Sequence, residues 1–497
     1  MAVLEILAAA AALTLLLYYY MTSTADFFAK RDIPHLPQTP LVGSSLDALL
    51  SRRFRGQVWR EWYDHAKAHG HKFYGVFVGR RPTLFVCDVD MVKTILVKDF
   101  QHVMDRGTYY DRKREPLSAN LFNIGGGEWK ALRSKLTPTF TSGKMKSMFY
   151  LVRACTDELE RYLGAEVLKG GDVEMAEVMG KFSTDVIASC AFGVEANALK
   201  DPDSEFRSMG RKVVEVDPLR AIVNMVAETM PWLRPLLPMP LLRPDVKDFF
   251  IRTFNENVEY RERQKVARHD FIDLLIQLKN DKTAGLEDAV LPAQAFVFYL
   301  AGFETSSAAT STCLVELAHH PDIQERLRDE VDRVLAKHGG ITYEALHDMT
   351  YMEQCIEETM RLYPALAGLP RVVTRDYQLP GESPRAVLPA GTRVIIPTYA
   401  IHCDPEFYPD PMRFDPERFT EENKRSRPHY AYLPFGEGPR ICIGLRFAMM
   451  QMKTSLAMIL SSYRVFPSPK SVYPARFEPK TFVTKLKGGN RLKITKR

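Results

Sequence analysis

The chain has 497 residues, 46% hydrophobic and 26% charged, with a formal net charge of +6. That composition supports a large buried core, and so small a positive excess argues against a nucleic-acid binder while leaving room for a local basic docking face. Seven scattered cysteines, Cys87, Cys155, Cys190, Cys313, Cys355, Cys403 and Cys442, contain no CxxC pair, which excludes a disulfide framework or zinc ribbon and fits a reducing compartment.

Val3–Tyr20 is apolar apart from Glu5 and Thr14. As a helix it spans roughly 27 Å, enough for a hydrocarbon core. Tyr18, Tyr19 and Tyr20 suit an interfacial belt, and Lys30 and Arg31 follow the segment while no Lys or Arg precedes it. The positive-inside rule then leaves the body in the cytosol. A cleaved signal peptide is the competing reading, with Thr22–Ala25 as its cleavage site. Residues 1–25 are thus expected to be an anchor, and 26–44, with Pro34, Pro37 and Pro40, a stiff extended arm or a plain loop.

Residues 45–497 read as one continuous body, mainly α with small β-sheets. FYGVFVG and PTLFVC predict a hairpin over 73–87. Helices are predicted over Glu128–Leu136, Lys144–Leu168 and Val173–Ala191. Ala289–His319, bounded by Pro292 and Pro321, predicts a helix of roughly 45 Å that must cross the centre. Leu346–Leu362 is helical and stops before Pro364. RAVLPAGTRVIIPTY predicts a second hairpin, Leu445–Tyr463 a last helix, and Phe477–Ile494 a β-like tail. Met230–Leu242 is apolar and rich in proline; it reads as a buried loop or as an exposed one that dips into a membrane.

The strongest chemical signal is FGEGPRICIG, residues 435–444. Cys442 stands just before a helix start, where backbone N–H groups lower a thiol pKa. Gly436, Gly438 and Gly444 permit tight turns and close approach to a flat group. Phe435 shields the sulfur, and Arg440 can pair with a cofactor carboxylate. A lone thiolate suits a cofactor that brings four ligands of its own, namely haem.

FGEGPRICIG resembles the haem-binding loop of the cytochrome P-450 family at Phe435, Gly438, Arg440, Cys442 and Gly444. The resemblance covers the chain from anchor to tail and is nearest to microsomal insect enzymes that oxidise lipophilic foreign compounds. It implies the cytochrome P-450 fold with a long central helix, haem b, and Cys442 as iron ligand. AGFETS, residues 301–306, is similar to the family's oxygen-activation motif; it implies Glu304 and Thr305 as an acid–alcohol pair relaying protons, with Gly302 loosening the helix. ETMR supplies Glu358 and Arg361 on one helical face, and PERF supplies Arg418; the family buries all three as a structural lock. WKALR places Trp129 and Arg133 four apart; they and Arg371 resemble the family's propionate-binding residues.

The implied activity inserts one atom of dioxygen into a lipophilic molecule in the endoplasmic reticulum membrane. The pocket is expected to be lined by Phe122, Phe298, Ala301, Phe303, Leu369 and Phe482, with Leu366–Leu369 and Phe482–Thr484 as wall segments. No dinucleotide fingerprint occurs, so electrons must come from another protein; the resemblance implies an NADPH-dependent reductase, with room for cytochrome b5 as a second donor. Lys130, Lys135, Arg425, Arg427 and Arg446 are candidate docking cations. His65 and His69 have i,i+4 metal spacing but no acidic partner, and read as a solvated face. Gly125-Gly126-Gly127 lacks the Lys and Ser/Thr of a phosphate loop. Two rivals stand beside this reading: a haem-thiolate isomerase or dehydratase acting on peroxides without a reductase, and a non-catalytic haem or small-molecule binder.

Overall fold

A computed structural model describes residues 1–497 apart from 41, 281–289, most of 216–241 and the side chains of 48 and 49. The expected Met230–Leu242 loop falls largely outside the described residues. Ala2–Thr22 forms one helix whose residues stay exposed until Met21, and it is long and apolar enough to cross a membrane. The proline segment behind it is packed rather than free. Phe28 and Ile33 are buried, Leu36 donates its N–H to the Gly75 carbonyl (2.9 Å), and the Arg80 guanidinium lies 3.9 Å from the Tyr20 ring. The helix therefore leaves the body along a fixed strap.

The first predicted hairpin forms as β1 (Phe73–Val78) and β2 (Arg81–Val86), with Tyr74 opposite Phe85. The second does not. Val387–Leu388 pairs with Tyr377–Gln378, whereas Arg393–Ile396 runs parallel to β2 and antiparallel to Leu369–Val372. The edges of Arg393–Ile396 are filled from both sides by long-range partners, and Pro389 and Gly391, the latter at φ 90°, turn the chain out of one sheet and into the next.

Three other predicted elements shift. Val173–Ala191 opens as a strand, Asp172–Glu174, held by Arg491–Lys496, and becomes helical only at Met175. Leu346–Leu362 breaks at Met349 into Tyr343–Asp348 and Thr350–Leu362. Of the tail, Arg491–Lys496 is a strand, while Phe477 and Leu486 meet in a single bridge.

The central helix, Leu291–His319, is apolar on nearly every side and is buried accordingly. It packs on Met175–Ile187, Thr350–Leu362 and Leu445–Ser462. Gly302 does not loosen it: helical structure runs on unbroken through this position. A Cβ there would stand 2.7 Å from Ile187 Cδ1, so the missing side chain lets the Met175–Ile187 helix close in.

Candidate active site

A cavity of about 280 Å³ lies between the central helix and the Cys442 loop. Cys442 and Phe435 line one side; Phe298, Ala301, Gly302, Thr305, Ala309 and Thr312 line the other. The helical residues recur every three to four positions, so they form one stripe facing the thiol. The loop is shaped by its own backbone. Cys442 N–H donates to the Phe435 carbonyl at 2.9 Å. Gly438 has φ 73°, and a Cβ there would fall 2.0 Å from the Leu96 carbonyl oxygen. A Cβ on Gly444 would meet no protein atom, leaving that edge of the cavity open for a flat ligand.

Burial pushes the Cys442 thiol above its ordinary pKa; the Gly444 N–H, Arg133 and Arg106 pull the other way without winning. The expected lowering by a helix start is therefore outweighed by desolvation. A bound cation is what would hold this sulfur as thiolate.

Arg106, Arg133, Arg371 and Arg440 all line the cavity. Burial is the largest influence on each, lowering Arg371 to about 9 and Arg440 to about 10 and drawing Arg106 and Arg133 down. Among the described residues a single carboxylate, Asp105, contacts this group, 3.4 Å from Arg440 Nη2. Arg371 Nε and Arg440 Nε and Nη1 are buried without a hydrogen-bond partner. So many unmatched donors call for an anion with several oxygens, and the two propionates of haem b meet that need. Trp129 lines the cavity and stacks beneath Arg440, the guanidinium 4.2 Å from its ring, and so positions that cation.

Arg106 and Asp105 were missed in the sequence, where they stand in a charged loop with no motif around them. Gly125 is explained by the same pair: a Cβ would strike the Asp105 carboxylate at 2.4 Å, and Asp105 accepts from the Gly126 N–H (2.8 Å).

Glu358 and Arg361 form a fully buried bidentate pair at 2.6 and 2.8 Å. Arg361 also donates to the His402 carbonyl (2.8 Å), and Arg418 Nε approaches Glu358 at 3.5 Å. His402, also missed, joins this lock to the thiol loop. Burial lowers its pKa to about 3, so it is neutral; Nε2 accepts from Leu433 N–H at 2.8 Å, which leaves Nδ1–H to donate to the Arg361 carbonyl at 3.2 Å.

Several expected pocket residues lie elsewhere. Phe303 points a helical step away from the cavity, stacked on Tyr299 with ring centres 5.5 Å apart. Phe482 is 70% exposed and outside the lining, although Thr484 and Leu486 of the same loop reach it. Phe122 and Leu369 do line it. Glu304 is buried but turned off the stripe, ion-paired with Lys485. The Thr305 hydroxyl donates to its own helix at Ala301 O (2.6 Å) while lining the cavity. Of the candidate docking cations, Lys130, Arg425 and Arg446 are exposed; Arg427 is engaged by the rings of Tyr408 and Phe419.

A mainly helical body, crossed by one long helix and carrying a cavity-lining cysteine opposite that helix within a ring of arginines, defines a haem-thiolate protein. The comparisons with known proteins agree. The Cytochrome P450 family model matches residues 34–493. The chain is 40% identical over 482 residues to cytochrome P450 6a2 of Drosophila melanogaster, covering 94% of this chain and 95% of that one. It is 38% identical over 478 residues to cytochrome P450 6j1 of Blattella germanica (96% and 94% covered), and 39% identical over 464 residues to cytochrome P450 6A1 of Musca domestica (92% and 91%). This chain belongs to the cytochrome P450 family. It is accordingly a monooxygenase with haem b as its cofactor.

Proposed function

We propose that the protein is a membrane-anchored monooxygenase of lipophilic small molecules, foreign compounds such as plant toxins or insecticides or endogenous hormones and lipids. A separate NADPH-dependent reductase, with cytochrome b5 as a second donor, supplies its electrons. Residues 1–25 hold it in the endoplasmic reticulum membrane, 26–44 form the strap, and 45–497 form the catalytic body on the cytosolic face. The carrying observation is the cavity itself, with a thiol on one side and an apolar helix stripe bearing the Thr305 hydroxyl on the other.

Cys442 would ligate the haem iron, and Arg106, Arg133, Arg371 and Arg440 would hold its propionates, with Asp105 and Trp129 orienting Arg440. Phe435 and Gly444 border the cofactor. When bound, the haem supplies dioxygen activation. The chain's own residues then do three things. Phe298, Ala301, Leu369 and Phe122 exclude water and hold an apolar substrate. Thr305 Oγ1, bonded to Ala301 O at 2.6 Å and lining the cavity, would be the hydroxyl that gives a proton on the cavity side. Glu304 replenishes it only after release from Lys485. Glu358, Arg361 and Arg418 lock the loop beneath. Lys130, Arg425 and Arg446 form part of the reductase-docking face.

The test is direct. Reduced protein with carbon monoxide should give the strongly red-shifted Soret band of thiolate ligation, and Cys442→His should abolish it. Oxidation of a lipophilic panel should require NADPH and reductase; complete peroxide isomerisation without them would sink the monooxygenation claim. Removing residues 1–25 should render the protein extractable by salt or mild detergent.

A further inference from the structure

Monooxygenation consumes two protons per cycle, since substrate RH, dioxygen, two electrons and two protons yield ROH and water. Those protons must cross a wall that is otherwise apolar. Glu304 does not line the cavity, and its carboxylate is held by Lys485. The cavity stripe of the central helix, Thr305, Ala308, Ala309 and Thr312, runs on one turn further to Glu316.

Glu316 is 1% exposed and bridges two tyrosines. Tyr363, which lines the cavity, donates its hydroxyl to Glu316 Oε1 at 2.6 Å. Tyr473, 42% exposed, donates to Oε2 at 3.2 Å. His320 Nδ1 stands 3.5 Å from Oε2, and His319 stacks on the Tyr473 ring with centres 3.9 Å apart. Cys313, buried on the same helix, is a further titratable neighbour. A buried carboxyl is thus hydrogen-bonded on one side to the cavity wall and on the other to the protein surface.

We propose that Tyr363, Glu316 and Tyr473 form a proton relay between solvent and the cavity, separate from Glu304. His320 Nδ1 is bonded to the Glu316 backbone carbonyl at 2.8 Å, so the surface side of the relay is Tyr473. Protonated through Tyr473, the Glu316 carboxyl hands its proton to the Tyr363 oxygen as Tyr363 releases its own into the cavity. The carboxylate then regains a proton from outside, so no net charge stays in the wall. Burial raises the Glu316 pKa, against the pull of Tyr363, His320, Tyr473 and His319, which favours the protonated form the relay needs. The relay rests on the monooxygenase reading above, and Glu316 and Tyr363 act on the reacting centre only through the cavity.

The experiment compares Glu316→Gln and Tyr363→Phe with wild type, all full-length, haem-loaded and reconstituted with reductase in phospholipid vesicles. NADPH consumption is partitioned among peroxide, water and the oxidation product of 7-ethoxycoumarin. The peroxide-to-water ratio reports on the relay even if the coumarin is not oxidised. Both variants should keep the carbon monoxide spectrum. Peroxide per NADPH should rise and water plus product fall by about tenfold, with a larger solvent deuterium effect. Peroxide-driven coumarin oxidation, which brings its own protons, should be unchanged. A structural role alone would lower the spectrum and the peroxide-driven activity together, and that result overturns the relay. So does wild-type partitioning in both variants; if Thr305→Ala still uncouples in that case, the site reading stands while the relay falls. Absence of the thiolate band in wild type would instead defeat the site reading. Should Glu316→Gln fail to fold, half-exposed Tyr473→Phe must show the same uncoupling.

Discussion

Two arginine clusters flank the thiol loop, and they are opposites. Around Glu358, each Arg361 nitrogen has a partner, a carboxylate oxygen or the carbonyls of His402 and Arg413, and Arg418 Nε alone, 3.5 Å from Glu358, lacks a hydrogen bond. Around the cavity, Arg371 and Arg440 keep buried donors that no protein group satisfies. A satisfied buried charge network locks a single conformation, whereas an unsatisfied one stores binding energy for an anion. The first cluster belongs to folding and the second to the cofactor.

The largest test breaks the satisfied cluster. Glu358→Ala should strand Arg361 in a dry site and destabilise by about 3–5 kcal/mol. Thermal unfolding should show it, along with loss of the thiolate spectrum. The pH dependence of stability comes next. His402 has a folded pKa of about 3 against the ordinary 6.5, so between those limits the unfolded chain binds the extra proton. Stability contributed by neutral His402 is complete above about 6.5 and drains as pH falls toward 3, by up to about 1.4 kcal/mol per unit. Urea midpoints measured from pH 7 to 5 should fall less steeply in His402→Gln.

The unsatisfied cluster predicts effects of opposite sign. Arg371→Ala should raise the melting temperature of haem-free protein, because a buried charge with no ion-pair partner is removed; Arg440→Leu, which also gives up the contact with Asp105, should raise it less. Both should weaken haem retention, by about 1.5–3 kcal/mol for each charged hydrogen bond removed, as read by haem transfer to an acceptor protein. If haem-free stability falls instead, the two clusters do not differ as described. The smallest effect is expected from Trp129→Leu, which removes the ring beneath Arg440 and should cost about 1 kcal/mol in haem retention.

Much of this was legible in the chain. The central helix, the first hairpin, the N-terminal apolar helix and the Cys442 loop follow from period and turn chemistry, which near neighbours set. Glu358 and Arg361 were legible as a pair because three residues separate them. The failures share a cause. Arg393–Ile396 looked like half of a hairpin because local alternation does not say which strand will fill its edges. Arg106 meets the carbonyl of Arg440, 334 positions away, and His402 reaches Leu433 across 31; neither has a neighbour in sequence that announces it. Phe482 looked like pocket lining only because its loop reaches the cavity through Thr484 and Leu486.

By itself the sequence determined a cysteine in a glycine turn and a long apolar helix, since each is a local pattern with one stable form; that the two meet is a fact of the tertiary structure. Only the tertiary structure decided which side of that helix faces the cysteine. Adjacent helical residues point about 100° apart. That single step turns Thr305 toward the cavity and Glu304 toward Lys485, and it brings Glu316, three turns further along, back into line.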